Sequence, residues 1–178
     1  MKKIILAVAS VMVSVAAFAQ GVVVFNNKVG TDVVARVLLP GGTGAGAGFT
    51  AQLYGGPVGG ALTALSPTTS FRTSSAAAQG YVNGVNVEVP GVGAGLQATI
   101  VMKAYNGADF ASSSIKGEST PITVTLGGGT LPPANLTGLA GFTMTGAVTP
   151  PPVDPVIPEP STIALGIIGA SALLLRRK

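Results

Sequence analysis

The chain has 178 residues, of which 47% are apolar and only 9% charged, so it can form one domain with a largely neutral surface. Its 26 Gly and 13 Pro argue against a helical bundle and favour a turn-rich β architecture. The absence of Cys excludes disulfides, and the absence of His removes the commonest general base and metal ligand.

The formal net charge of +4 is concentrated at the two ends of the chain. Five of the ten basic residues lie there, and the rest of the sequence has five basic and six acidic residues, a balance of −1. Because that region has no basic footprint, we predict no nucleic-acid partner. The terminal basic residues are Lys2, Lys3, Arg176, Arg177 and Lys178.

The beginning of the chain has the order of a secretory signal peptide. A lysine pair precedes an apolar run at 4–16, and the small residues Ala17 and Ala19 stand where signal peptidase requires them. We therefore predict a signal helix over 1–19 and cleavage before Gln20.

Residues 20–148 are predicted to form a β domain. Short runs rich in β-branched residues alternate with Gly, Pro and Asn turns, and helical periodicity is absent. Seven or eight strands at this spacing indicate an all-β fold, a single antiparallel β-sandwich of the immunoglobulin- or fibronectin-like kind. The expected strands are 21–27, 33–39, 49–54, 61–65, 69–73, 81–89, 96–105 and 119–126, with one more edge strand within 135–148.

Two local patterns in this domain predict turns. The stretch GGTGAGAG at 41–48 lacks the Gly-Lys-Ser/Thr ending of a phosphate-binding loop, so we expect a flexible loop between strands. Asn106-Gly107 is typical of a turn with positive φ and should end the strand 96–105.

No catalytic or metal-binding residues are predicted, and no cofactor is expected. The acids Asp32, Glu88, Asp109 and Glu118 are scattered singly, without the spacing of a calcium loop. No nucleophile elbow occurs, and no His is present to act as a base. The sequence therefore predicts a protein that is not an enzyme.

Aromatic residues suggest one binding alternative. Tyr54, Tyr81 and Tyr105, with Phe110, could stack on sugar rings, because aromatic faces suit the apolar faces of pyranoses. With only 5% aromatic residues and no Trp, packing in the core is the competing interpretation of the same side chains.

The end of the chain has three parts in a fixed order. Residues 149–160 hold six prolines in twelve residues and predict an extended polyproline spacer. Residues 161–175 form an uncharged run of fifteen residues, shorter than the ~20 that span a bilayer without local thinning. We predict a single transmembrane helix there, followed by a basic stop-transfer cluster at 176–178 that fixes the C-terminus in the cytoplasm.

The segment 156–178, VIPEPSTIALGIIGASALLLRRK, resembles the PEP-CTERM sorting signal. Pro158, Glu159 and Pro160 match its tripeptide, 161–175 its helix, and 176–178 its basic cluster. The resemblance implies recognition by exosortase, a membrane enzyme thought to cut near the tripeptide and deliver the protein to the envelope exterior.

The central region is similar to the small Gly- and Val-rich domains of PEP-CTERM proteins from Verrucomicrobia-like bacteria. The similarity is carried by FTAQLYGGP, FRTSSAAA, YNGADFASS and TLGGGTLPPANL. It implies no activity. The sequence thus predicts an exported, non-enzymatic surface or matrix protein, processed by signal peptidase and exosortase and transiently anchored in the membrane. The alternative is an exopolysaccharide-binding module anchored permanently by its C-terminal helix.

Overall fold

The computed structural model describes residues 20–146, and these form thirteen β-strands and no helix. The all-β prediction is therefore confirmed for this part of the chain. Only six of the strands have three or more residues, whereas seven or eight were expected. In chain order the strands are β1 (Gln20–Phe25), β2 (Lys28–Val29), β3 (Val33–Val34), β4 (Val37–Leu38), β5 (Thr50–Pro57), β6 (Thr63–Ala64), β7 (Thr69–Ser70), β8 (Val85–Gly93), β9 (Gln97–Tyr105), β10 (Lys116–Glu118), β11 (Ile122–Thr125), β12 (Ala134–Asn135) and β13 (Phe142–Thr143).

The larger of the two main sheets has six strands and is antiparallel throughout. Its centre is the long pair β5–β9, in which Gln52 lies opposite Lys103 and Tyr54 opposite Val101. The short strands β10 and β11 both pair with β9, and β6 and β7 both pair with β5.

The smaller main sheet has the order β12-β1-β8, and two further pairs, β13–β4 and β2–β3, stand apart from it. Strands β1 and β8 are antiparallel, but β12 joins β1 in parallel and β13 joins β4 in parallel. The expectation of a purely antiparallel arrangement was therefore wrong. Parallel strands need long connections, and both β12 and β13 return from the far end of the domain to an early strand. Residue alternation is the same in either direction, so the sequence carries no sign of it.

Apolar residues on the inner faces of both main sheets form one buried cluster. Val87 and Val89 of β8 are buried while Asn86 and Glu88 are exposed, as the alternation of valine with polar residues in this part of the sequence predicts. The inner face of β9 contributes the fully buried Ile100 and Met102 in the same way. The shared core therefore comes from period-two patterning in both sheets.

Several predicted boundaries were wrong because the backbone is partnered by distant segments. The run 33–39 is interrupted between β3 and β4, since the Ala35 N–H donates to the Asn27 carbonyl at 2.9 Å. The strand predicted at 81–89 is displaced along the chain, because β8 runs from Val85 to Gly93. The pairing with β1 shifts register between Gln20 and Gly21, and this irregularity accommodates Pro90, which cannot donate to the ladder.

The glycine-rich stretch 41–48 is not the free loop that its composition predicts. Ala45 is fully buried, its N–H donates to the Val37 carbonyl at 3.0 Å, and its own carbonyl accepts from Gly80 at 2.7 Å. A Cβ on Gly44 would overlap the Gln79 carbonyl. Glycine is needed here for close backbone approach.

A buried asparagine joins three segments of the domain. The Nδ2 group of Asn27 donates to the carbonyls of Ala35 (2.6 Å) and Gly80 (2.9 Å), and its Oδ1 accepts from the Val82 N–H at 2.8 Å. Asn27 is fully buried, so these bonds satisfy groups that water cannot reach. This side chain fixes the chain after β1 against the segment before β8.

The predictions for the two ends of the chain concern residues that the structure does not describe. These are the signal helix at 1–19, the spacer at 149–160 and the transmembrane helix at 161–175. Within residues 20–146, no helix is long and apolar enough to cross a membrane.

Candidate functional site

The outer face of the six-stranded sheet gathers aromatic and charged side chains. Alternation along β5 and β9 turns Ala51, Leu53, Ile100 and Met102 into the core, so the intervening residues point to the other side. We call this set the Tyr54 face: Gln52, Tyr54, Val101, Lys103, Tyr105, Phe110 and Glu118.

Lys103 is the centre of the Tyr54 face. Its Nζ lies 2.9 Å from Glu118 Oε2, on the neighbouring strand β10. The same Nζ lies 4.5 Å from the ring centroid of Tyr54 and 4.3 Å from that of Phe110. Both distances are within the range of cation–π attraction. The ammonium group is thus held between two rings and a carboxylate, and only 20% of the Lys103 side chain is exposed.

Tyr105 lies beneath this arrangement and is only 3% exposed. Its hydroxyl donates to Gln52 Oε1 at 3.0 Å, and its ring makes an edge contact with Phe110, with centroids 6.2 Å apart. Burial raises the pKa of the Tyr105 phenol, and electrostatic repulsion from Tyr54 and Asp109 raises it further. Tyr105 is consequently a neutral structural support for the face.

Phe110 is placed by the connection between β9 and β10. The Asn106 Oδ1 accepts from the Ile115 N–H at 3.0 Å, and the Ser113 Oγ accepts from the Gly107 N–H at 2.8 Å. Lys116 Nζ donates to the carbonyls of Phe110 (3.0 Å) and Ala111 (2.7 Å). These bonds close a loop over 106–115 and hold the aromatic ring above the sheet.

The turn expected at Asn106-Gly107 is therefore wrong. Neither residue has a positive φ, and β9 is followed by the longer 106–115 loop. The Asn106 side chain closes this loop in place of a tight turn, because it hydrogen-bonds to Ser114 and Ile115 at the end of the loop.

Beside Lys103 the Tyr54 face opens into a groove of about 350 Å³. Tyr54 and the Lys103–Glu118 pair supply one aromatic ring, a donor and an acceptor within it. This combination suits a ligand with both apolar and hydroxyl surface. The groove is lined by Tyr54, Leu62, Val101, Lys103, Glu118, Ser119 and Pro121.

The four acids of the described region, Asp32, Glu88, Asp109 and Glu118, do not come together as ligands of a metal ion. Among residues 20–146, no group of three or more His, Cys, Asp or Glu side chains could hold a metal ion. Glu118 pairs with Lys103, and Asp109 accepts from the Ser112 N–H at 2.9 Å. That backbone bond, helped by the Ser112 side chain, lowers the pKa of the Asp109 carboxyl. Asp32 and Glu88 are exposed.

The three tyrosines proposed as glycan contacts do not form one platform. Tyr54 lies on the face and lines its groove. Tyr105 shares the face but is buried, which favours the competing interpretation of this side chain, packing in the core. Tyr81 lies outside the six-stranded sheet, where Lys28 Nζ is 5.9 Å from its ring centroid.

Sequence reasoning missed Lys103 and Glu118 as site residues. Their pairing depends on the register of β10 against β9, which places Glu118 opposite Lys103. A recognisable signal did exist in the alternating charge and aromatic positions of 99–105, since Lys103 and Tyr105 share one face of that strand.

The predicted processing residues lie outside the described part, with one exception. Ala17, Ala19, the Pro158–Pro160 tripeptide and the 176–178 cluster are not described. Gln20, predicted to follow the signal cleavage, is exposed and pairs with Gly93 at the start of β1.

Comparisons with protein-family models, with curated proteins and with solved structures return no match for this chain.

Proposed function

We propose that this chain is an exported, non-enzymatic protein of the cell surface or extracellular matrix, sorted by a PEP-CTERM signal. The ordered tail carries the proposal. Pro158-Glu159-Pro160 precedes an uncharged run and a basic cluster, and a signal-peptide pattern stands at the other end. A permanent anchor is less favoured, because the fifteen-residue run is short for a bilayer.

The exported unit in this proposal is a β-sandwich on a proline spacer. Two sheets that share one apolar core support the sandwich arrangement. Six prolines in residues 149–160 support the spacer, since proline-rich segments extend by ~3.1 Å per residue. The non-enzymatic assignment rests on a sequence without His or Cys.

The sorting proposal is tested by changing the tripeptide in the native host. We expect wild-type protein in the outer envelope or medium, and the double variant Pro158→Ala/Glu159→Gln in the inner membrane. Pro155→Ala is the matched control, since it removes a spacer proline and leaves the tripeptide intact. Cell fractionation and immunoblotting measure the distribution. Identical distributions for the double variant and the wild type would rule out recognition of the tripeptide.

A second candidate function is carbohydrate binding by the exported domain, and the groove on the Tyr54 face favours it. The Tyr54 ring offers an apolar surface, and the Lys103–Glu118 pair offers a donor and an acceptor for hydroxyl groups. We expect Tyr54→Ala to abolish retardation of the protein in gels that contain the host exopolysaccharide. Tyr81→Ala is the control, because Tyr81 lies outside the groove. Equal mobility with and without polysaccharide for the wild type would remove this candidate.

A further inference from the structure

A second, larger cavity lies between the glycine-rich stretch and the segment after β7. It has a volume of about 460 Å³, which is within the usual range of ~300–1,000 Å³ for small-molecule sites. Arg72 is the one charged residue in its wall. We call it the Arg72 cavity, and its lining residues are Gly46, Ala47, Gly48, Phe49, Ser70, Phe71, Arg72, Thr73, Ser74 and Asn83.

Arg72 is held in place by one edge of its guanidinium group only. Its Nε donates to the Val82 carbonyl at 2.9 Å, a bond that fixes the side chain against the bridge between Phe71 and Val82. Within residues 20–146, the two terminal nitrogens of Arg72 have no hydrogen-bond acceptor and no carboxylate partner. The donors suited to a planar anion are therefore available on a positioned side chain.

The other basic residues of the described region already face partners. Arg36 donates to two backbone carbonyls, Lys116 donates to two others, Lys103 pairs with Glu118, and Lys28 lies beside the ring of Tyr81. Arg72 differs from Arg36 because, within the described residues, both of its terminal nitrogens lack an acceptor, whereas Arg36 uses one of its own. No acid lines the cavity wall beside those two nitrogens. An anionic group would supply that missing compensation.

The opposite wall of the Arg72 cavity adds donors from the backbone. Within the described residues, the N–H groups of Gly46, Ala47 and Gly48 have no hydrogen-bond acceptor. Gly48 has a φ of 81°, in the left-handed region that glycine adopts readily. Successive unpaired N–H groups in such a turn can bind an anion.

The remaining lining indicates a ligand rich in hydroxyl groups. Ser70, Thr73, Ser74 and Asn83 are exposed and carry hydroxyl or amide groups that both donate and accept. Phe49 is half-buried and supplies an aromatic wall. Backbone N–H groups also capture the carboxyl termini of peptides, so a peptide with a free carboxyl terminus is one of the competitors in the test below. A sugar with a carboxylate combines the required features.

We propose that the Arg72 cavity binds a carboxylated sugar, with the uronate carboxylate on the free edge of the Arg72 guanidinium and the pyranose ring against Phe49. Thr73, Ser74 and Asn83 hydrogen-bond the sugar hydroxyls. This assignment goes beyond the proposed sorting function and does not depend on it, since binding would occur whether or not the tail is removed.

The test uses the full chain, purified in mild detergent, with a trimer of galacturonic acid and its methyl ester as probes. Isothermal titration calorimetry measures affinity, and NMR chemical shifts locate the ligand. We expect binding of the acid, with shifts in 46–49, 72–74 and Asn83, and at least tenfold weaker binding of the ester. Arg72→Gln should weaken binding of the acid by about tenfold or more, because a charge-assisted pair is lost.

Controls separate this proposal from general effects of charge and folding. Lys28→Gln removes one positive charge outside the cavity and should bind like the wild type. Since Arg72→Gln also removes the bond to Val82, Thr73→Ala and Ser74→Ala provide exposed substitutions that leave that bond in place and should each weaken binding several-fold.

Several results would overturn the proposal. These are equal affinity for acid and ester, unchanged affinity in Arg72→Gln, and acetate, sulfate or a peptide with a free carboxyl terminus binding as tightly as the trimer. Shifts confined to Tyr54 and Glu118 would overturn the cavity assignment but leave carbohydrate binding by the Tyr54 face intact. None of these results tests the segment 156–178, so the sorting proposal is judged separately, by the fractionation experiment described above.

Discussion

At the scale of single residues, polar side chains decide how the segments of this domain meet. The described region has one salt bridge, between Lys103 and Glu118, and most of its basic groups instead bind backbone carbonyls. Asn27 does the same from inside the core, with three bonds to main-chain groups. In a chain with few charges, such side-chain to backbone bonds satisfy the irregular connections between short strands.

Asn27→Ala is expected to lower the free energy of unfolding by about 3 kcal/mol, because the buried Ala35 carbonyl and the buried Val82 N–H lose their partner and the Gly80 carbonyl keeps only its bond from the Val37 N–H. Urea denaturation followed by circular dichroism measures the change. Asn86→Ala is the control, since Asn86 is exposed on β8 and its loss should change stability by less than ~0.5 kcal/mol. Equal effects of the two substitutions would contradict a joining role for Asn27.

Because the Tyr105 phenol is buried, the free energy of unfolding should depend on pH in the alkaline range. Its folded-state pKa is raised above the ordinary 10.0, so its contribution is complete below pH 10.0 and decreases as the pH rises toward the folded-state value. The unfolded phenol ionises first and draws the equilibrium toward unfolding. The difference in unfolding free energy between wild type and Tyr105→Phe should therefore be about 1 kcal/mol at neutral pH, from the bond to Gln52, and diminish above pH 10. If the difference in unfolding free energy between wild type and Tyr105→Phe stayed constant from pH 8 to pH 11, the raised pKa of the Tyr105 phenol would be contradicted.

At the scale of elements, close backbone approach allows the short strands and loops to pack. Gly127 exchanges hydrogen bonds with Val22 of β1, at 2.8 and 3.0 Å. A Cβ on Gly127 would overlap the Pro132 carbonyl oxygen and approach Pro133. The segment after β11 can reach β1 only with glycine at this position.

Gly127→Ala should therefore destabilise the domain by about 2 kcal/mol, the usual range for inserting a methyl group where no space exists. Gly41→Ala is the matched control, because a Cβ there would meet nothing within 4 Å. Thermal unfolding of both variants measures the contrast. If Gly41→Ala proved as damaging as Gly127→Ala, the close approach would not be the cause.

The strongly patterned strands could be predicted from the sequence, and the irregular segments could not. Alternation located β5, β8 and β9 and assigned the buried face of β8 correctly. It could not reveal the parallel pairs formed by β12 and β13, because strand direction leaves no trace in a period of two. The burial of Ala45 was equally hidden, since glycine-rich composition is shared by free loops and by tightly packed backbone.

The candidate site was predictable in part for the same reason. Tyr54 was identified because an aromatic residue on a half-buried strand is recognisable. The pairing of Lys103 with Glu118, and the placement of Phe110 by the 106–115 loop, depend on contacts between segments. Arg72 became a candidate only from the structure, since its two terminal nitrogens have no acceptor among residues 20–146 and a cavity lies beside them.

At the scale of the whole molecule, charge is distributed unevenly along the sequence. The five terminal basic residues account for the net positive charge, and the remainder of the chain has a balance of −1. In the proposed account, the basic residues beside the apolar runs act in membrane topology, and the nearly neutral sequence between them has no strong field to attract a charged partner over long distances. Ligands of the β domain would then be held by local chemistry, at the Tyr54 face or in the Arg72 cavity.

We propose above all that both ends of this chain, residues 1–19 and 156–178, are targeting signals that are removed during export. Mass spectrometry of the intact protein recovered from the native host tests it most directly, because one mass together with terminal peptides defines both ends. We expect a chain that begins at Gln20 and ends near Pro158-Glu159-Pro160, without the apolar run 161–175 or the cluster 176–178. Protein that retains Lys178 at its C-terminus would contradict the sorting account and favour a permanent anchor.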